Sequence, residues 1–198
     1  MEAPKYPSAY RERWYVLVLT AILGVSAAAA VSAVLPRTYE STATLFLTVA
    51  SPESSIVERS QFAVARVKSY PELVTSPRVL RATISELELD MDPRALAKQV
   101  SASNPRDTVL LTVTATAGDP VLASRIADSV ALNVADLVGQ LENDVDLELT
   151  LPAVEPASPA SPQTVVLLGL GLLAGLAVGG ILVAVLSQFD PRVRSVRD

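Results

Sequence analysis

The side chains able to do chemistry in this sequence are carboxylates. Its 198 residues include no histidine and no cysteine, which removes Ser-His-Asp and Cys-His catalysis and the usual zinc ligand sets. Neither a GxxxxGKS/T nor a GxGxxG loop occurs, so no nucleotide is bound by a recognisable motif. Two acidic clusters remain, Glu86, Glu88, Asp90 and Asp92, and Asp144, Asp146 and Glu148. Each contains a D-x-D triplet, a pattern that some glycosyltransferases use to hold a metal with a sugar nucleotide. Paired carboxylates also hydrolyse glycosides. A structural role accounts for both clusters more simply. In the second, the acids alternate with Val145, Leu147 and Leu149, which makes them the solvated face of a strand. In the first, Asp92 precedes a proline as a helix cap. The sequence therefore predicts no catalytic, cofactor-binding or metal-binding residue, and a chain that is not an enzyme.

The elements that carry these side chains lie between two apolar windows. Trp14 to Leu35 and Thr164 to Leu186 are both free of charge, and each is long enough for the about 20 residues that cross a bilayer core. Lys5, Arg11 and Arg13 precede the first window, and Arg192, Arg194 and Arg197 follow the second. Positive charge stays on the cytoplasmic side, so both termini are predicted there and the segment from Arg37 to Gln163 outside. That segment carries 10 basic and 17 acidic residues, an excess of acid that does not suit a nucleic-acid partner. The first window has a second reading: the run SAAAAVSA ending at Ala33 resembles the cut site of a secretory signal. Trp14 and Tyr15, as interfacial anchors, and the length of the uncharged stretch favour a retained helix.

Between the windows, Tyr39, Ser41, Ala43, Leu45, Leu47 and Val49 alternate with Glu40, Thr42, Thr44, Phe46 and Thr48, which predicts a half-buried strand. A second run sets Val109, Leu111, Val113 and Ala115 against Leu110, Thr112, Thr114 and Thr116. A third sets Val145, Leu147, Leu149 and Leu151 against Asp144, Asp146, Glu148 and Thr150. Ser76-Pro77, Asp92-Pro93 and Asp119-Pro120 each join a capping side chain to a proline whose fixed φ suits the first helical turn. Leu80, Ile84 and Leu87 follow at helical spacing, as do Leu122, Ile126, Val130, Val134, Leu137 and Leu141. Another helix is predicted around Phe62 to Tyr70. The fold class is α+β, a small sheet of three strands with helices on one face, its first and last strands antiparallel neighbours, flanked by two transmembrane helices.

Two patterns remain. Gly171, Gly175 and Gly179 recur every four residues along one face of the second window, which invites close approach by another helix, within the chain or between chains. Pro152, Pro156, Pro159 and Pro162 run up to that window as a stiff spacer or a plain linker.

Together these pieces resemble the Wzz-like chain-length determinants, or polysaccharide co-polymerases. RTYESTATLFL is similar to the family's opening strand and SYPELVTSPRVLRATISELEL to its Ser-Pro and leucine-rich helices. DTVLLTVTATAGDPVLASRIADSVA is similar to its strand, Asp-Pro and long-helix unit, and AVEPASPASP to its proline motif. The short outer domain is most similar to the Gram-positive and actinobacterial versions. The resemblance implies a cytoplasmic N-terminus over 1–13, transmembrane helices over 14–35 and 164–187, and an extracytoplasmic α/β domain over 36–151. It further implies a proline joint over 152–163 and a cytoplasmic tail over 188–198. It implies a homo-oligomer, ring-like in the cell membrane, that regulates the chain length or export of a capsular polysaccharide or exopolysaccharide beside a polymerase or flippase. The tail FDPRVRSVRD is similar to stretches that activate a tyrosine kinase, so Phe189, Asp190, Arg192, Val193 and Arg194 are candidates for docking a separate kinase chain. Rival expectations are a secreted, single-pass glycan-binding module and a carboxylate enzyme acting on cell-wall glycan.

Overall fold

The computed structural model describes residues 14–49, 56–142 and 144–188. The chain forms two compact units, one from its ends (Met1–Pro36 with Pro162–Asp198) and one from Arg37–Ser161.

The end unit is a helix pair. Helices α1 (Trp14–Val34) and α7 (Thr164–Gln188) are both long and apolar enough to cross a membrane. Their apolar residues are spread around the whole circumference rather than along one stripe, and most of their large side chains are exposed, as expected of helices solvated by lipid.

The second unit, the sheet domain, contains β1 (Tyr39–Val49), α2 (Ile56–Val67), α3 (Pro71–Val74), α4 (Pro77–Glu86), α5 (Pro93–Leu96), β2 (Val100–Ser103), β3 (Leu110–Ala117), α6 (Pro120–Leu141) and β4 (Val145–Leu151). The strands form one sheet in the order β2-β3-β1-β4, each neighbouring pair antiparallel. The chain thus enters on the central strand β1 and leaves on its neighbour β4. Leu45 stands opposite Leu111 on one side and Leu149 on the other, so the period-two pattern of three strands converges on a single apolar layer. Helix α6 covers that layer with Ile126, Val130 and Val134, all fully buried. Their spacing of four keeps them on one face of the helix.

Three expectations need correction. The sheet has four strands: the fourth, Val100–Ser103, pairs with β3 and is too short for its alternation to stand out. Leu141 and Leu151, assigned to the core by periodicity, are about three-fifths exposed at 62% and 60%: Leu141 is the last residue of its helix, and a register shift between β1 and β4 sets Leu151 opposite the outward-facing Thr44 while Leu149 stays opposite Leu45. The helix placed around Phe62 to Tyr70 spans Ile56–Val67 instead, with Tyr70 at the N-cap of α3.

The three Ser/Asp-Pro starts are built as their chemistry requires. Ser76 Oγ accepts from Val79 N at 3.5 Å, Asp92 Oδ1 from Arg94 N at 2.8 Å and Asp119 Oδ2 from Leu122 N at 2.9 Å. The end of α4 uses a less favourable residue. Leu89 N donates to Ile84 O at 3.0 Å around Glu88, whose φ is +51°. That is the left-handed closing position glycine normally takes. Glu88→Gly is therefore expected to stabilise the domain by about 1 kcal/mol, read as a higher urea midpoint. An unchanged or lower midpoint would mean that the Glu88 side chain contributes a compensating contact.

Candidate functional site

The structure places the two acidic clusters on separate elements. Asp144, Asp146 and Glu148 are exposed along β4. In the other cluster Asp92 is committed to its cap. Glu86 Oε2 accepts from Ser129 Oγ at 2.6 Å and Asn133 Nδ2 at 3.1 Å, which ties α4 to α6 and satisfies the buried Ser129 hydroxyl. Among the described residues no group of three or more carboxylates is placed to hold a metal ion.

The clearest construction is in the helix pair. A Cβ added at Gly171 would lie 2.6 Å from Ala28 Cβ and 2.6 Å from Gly24 O. At Gly175 it would collide with Thr20 O, and at Gly179 with Thr20 Oγ1. Gly24, on α1, reciprocates: a Cβ there would collide with Gly171 O and lie 3.1 Å from Gly175 Cα. The three glycines of α7 thus face the α1 backbone of the same chain, the approach that only hydrogen side chains permit. Thr20 Oγ1 folds back onto Val16 O at 2.9 Å and Leu17 O at 3.1 Å, so its polar atom is satisfied inside its own helix. Ser32 Oγ and Thr164 Oγ1 share a hydrogen bond of 3.0 Å.

The proline segment is anchored to the sheet domain rather than free. Ala153 N donates to Asp128 Oδ1 at 2.7 Å, and Ser41 Oγ donates to Val154 O at 2.6 Å. The second bond explains a serine on the buried face of β1: a satisfied hydroxyl carries little burial cost. At the far end Ala160 N donates to Thr38 O at 2.8 Å and Thr38 N to Ser161 O at 3.0 Å. The four prolines lie along a strap bonded near its start and at its end.

Phe189, Asp190, Arg192, Val193 and Arg194 lie outside the described residues. Sequence reasoning also passed over a polar centre beside α2. Arg66 holds Glu142 through Nε at 3.0 Å to each carboxylate oxygen and Nη2 at 2.9 Å to Oε1. That hydrogen bond and charge raise the guanidinium pKa above its ordinary value. Among the described residues the nearby Tyr70 hydroxyl is buried without a hydrogen-bond partner, and burial, then the Glu142 charge, pushes its ionisation up to about 12. Residues 76 apart in sequence form this pair, and no local pattern announces it.

Comparison with known proteins places the chain. Residues 8–87 match the family model described as chain length determinant protein, Wzz. A capsular polysaccharide biosynthesis protein CpsC of Streptococcus pneumoniae is 33% identical over 135 residues, covering 67% of this chain and 57% of that protein. The chain thus spans little more than half the length of that relative. A CpsC of Streptococcus agalactiae is 25% identical over 83% of this chain and 72% of its own length. A capsular polysaccharide biosynthesis protein CapA of Staphylococcus aureus is 21% identical over 92% and 83%. Among solved structures, a full-length bacterial polysaccharide co-polymerase superposes over 96% of this chain and 100% of its own with a TM-score of 0.58 at 10% identity, a likeness of fold. Residues 8–87 thus match a chain length determinant (Wzz) segment, and the chain around them has the fold of a polysaccharide co-polymerase.

Proposed function

We propose that this chain is a non-enzymatic regulator of the chain length or export of a capsular polysaccharide or exopolysaccharide. It acts as a two-pass membrane protein with both termini in the cytoplasm and the sheet domain outside. The observation that carries the proposal is the Wzz match joined to a co-polymerase fold that runs from helix to helix. The glycine packing supports a retained first helix. Cleavage after Ala33 would strip the α7 glycines of the backbone they fit.

In this reading copies assemble in the membrane as a ring beside a polymerase or flippase, and the strap couples sheet domain and membrane segment through its prolines. The size distribution of surface polysaccharide tests the function, measured in a strain lacking the protein and in the same strain complemented. A shifted or collapsed distribution restored by the gene is expected, and an unaltered one overturns the proposal.

The tail docks a separate cytoplasmic tyrosine kinase. Three arginines among its ten residues fit a cytoplasmic flank, and the resemblance to kinase-activating tails supplies the partner. Truncation after Gln188 is expected to abolish stimulation of the kinase in a reconstituted pair while the protein still inserts. Full stimulation by the truncated chain would remove this role.

A further inference from the structure

One face of the sheet carries the core, and among the described residues the other is uncovered. The outward positions of all four strands are exposed or half-exposed. At its middle Thr42 stands opposite Thr114 and Thr44 opposite Thr112, with the Thr42 and Thr114 hydroxyls 3.3 Å apart. Threonine suits any exposed strand, so hydroxyls alone would mark nothing. Phe46 does not fit that explanation. It is 41% exposed and stands between Leu110 of β3 and Glu148 of β4, with Asp146 opposite the next outward residue, Thr48. Side chains directly opposite on neighbouring strands lie about 5 Å apart at Cβ, so ring, carboxylates and hydroxyls share one flat patch.

We infer that this face docks a segment of the glycan chain itself, a stretch of uncharged or amino-bearing sugars. The inference rests on the polysaccharide reading above. The phenyl face of Phe46 stacks on the apolar C–H face of a sugar ring, the contact a quadrupolar aromatic offers. Glu148 and Asp146 accept hydrogen bonds from sugar hydroxyls, and the threonines both donate and accept. Charge selects this occupant over others. None of the outward strand positions is a lysine or arginine, so the patch offers nothing to an anionic lipid surface. A second copy presenting the same face would set like charges together, which disfavours a two-fold pairing of these faces, and contact with a different face of a neighbouring copy is an outcome the experiment below separates.

The test uses the full chain in nanodiscs, with retardation on gels containing polysaccharide purified from the surface of the producing cells. Wild type is expected to be retarded. Phe46→Ala should weaken binding by about three- to tenfold, the worth of one stacked ring. Phe46→Tyr should restore it, and Thr114→Lys, which crowds the patch without touching the core, should weaken it too. Undiminished binding by both Phe46→Ala and Thr114→Lys overturns the site. So does a change in oligomer mass in Phe46→Ala with glycan retardation intact, which would give the face to a second copy. A wild-type protein that restores polymer length in the deletion strain yet is not retarded overturns the inference and leaves the proposed function standing. Failure to alter polymer length at all overturns the function instead.

Discussion

Gly175→Ala is expected to lower the melting temperature of the detergent-solubilised protein, while Gly180→Ala leaves it unchanged or slightly higher. At Gly175 an added Cβ would collide with Thr20 O and lie 2.9 Å from Ala21 Cα and 3.0 Å from the Thr20 carbonyl carbon. These are backbone atoms of a helix, which cannot swing aside as a side chain does, so the pair must separate along its length. Overpacking of this kind costs about 1–3 kcal/mol, and separation also forfeits the dispersion contacts of neighbouring turns, which are the main attraction between helices in lipid. At Gly180 nothing lies within 4 Å of the added atom, and alanine is the better helix former. Gly24→Ala should behave like Gly175→Ala, since it approaches the same backbone from the other side. Equal melting temperatures for Gly175→Ala and Gly180→Ala would sink the within-chain packing. A lost oligomer with an unchanged monomer would move the glycine face to a contact between chains.

Much of the architecture was legible because two periodicities carry it. The inward residues of β1 from Ser41 to Leu47 are all buried, and so are Leu111, Val113 and Ala115 of β3, because a strand with one wet face must alternate. Capping chemistry located three helix starts for the same local reason. What stayed hidden depends on distant partners. Val100–Ser103 becomes a strand through β3, and the four residues carry no pattern of their own. The strap's prolines announce stiffness, whereas their anchorage depends on Asp128 and Ser41, 25 and 113 residues from the atoms they bond. Spacing alone reveals the glycine face, but Gly24, which makes the approach mutual, stands alone in the first window. Phe46 was visible as an outward residue, and its exposure beside Glu148 required the register of β1 with β4.

Leu45→Ala is expected to destabilise the sheet domain far more than any change on its open face. Leu45 is fully buried on the central strand, opposite Leu111 and Leu149, so truncation removes contacts to both neighbouring strands at once. Leu→Ala at such a site costs about 2–5 kcal/mol, against a total of about 5–15 kcal/mol for an ordinary domain. With no cysteine in the sequence, no disulfide limits the loss. The helix pair forms its own compact unit, so the loss falls on the sheet domain. In urea, the transition that exposes the sheet domain to protease should move to lower concentration while the helical circular dichroism of α1 and α7 persists. Thr42→Ala, three residues away on the exposed face, should shift that transition by less than about 0.5 kcal/mol. A Leu45→Ala protein that resists protease like wild type would show that the apolar layer is not what holds the domain. One that loses both units together would show that they fold as a single cooperative structure. If the proposed function holds, cells carrying Leu45→Ala keep the protein in the membrane fraction yet make polysaccharide with the size distribution of the deletion strain.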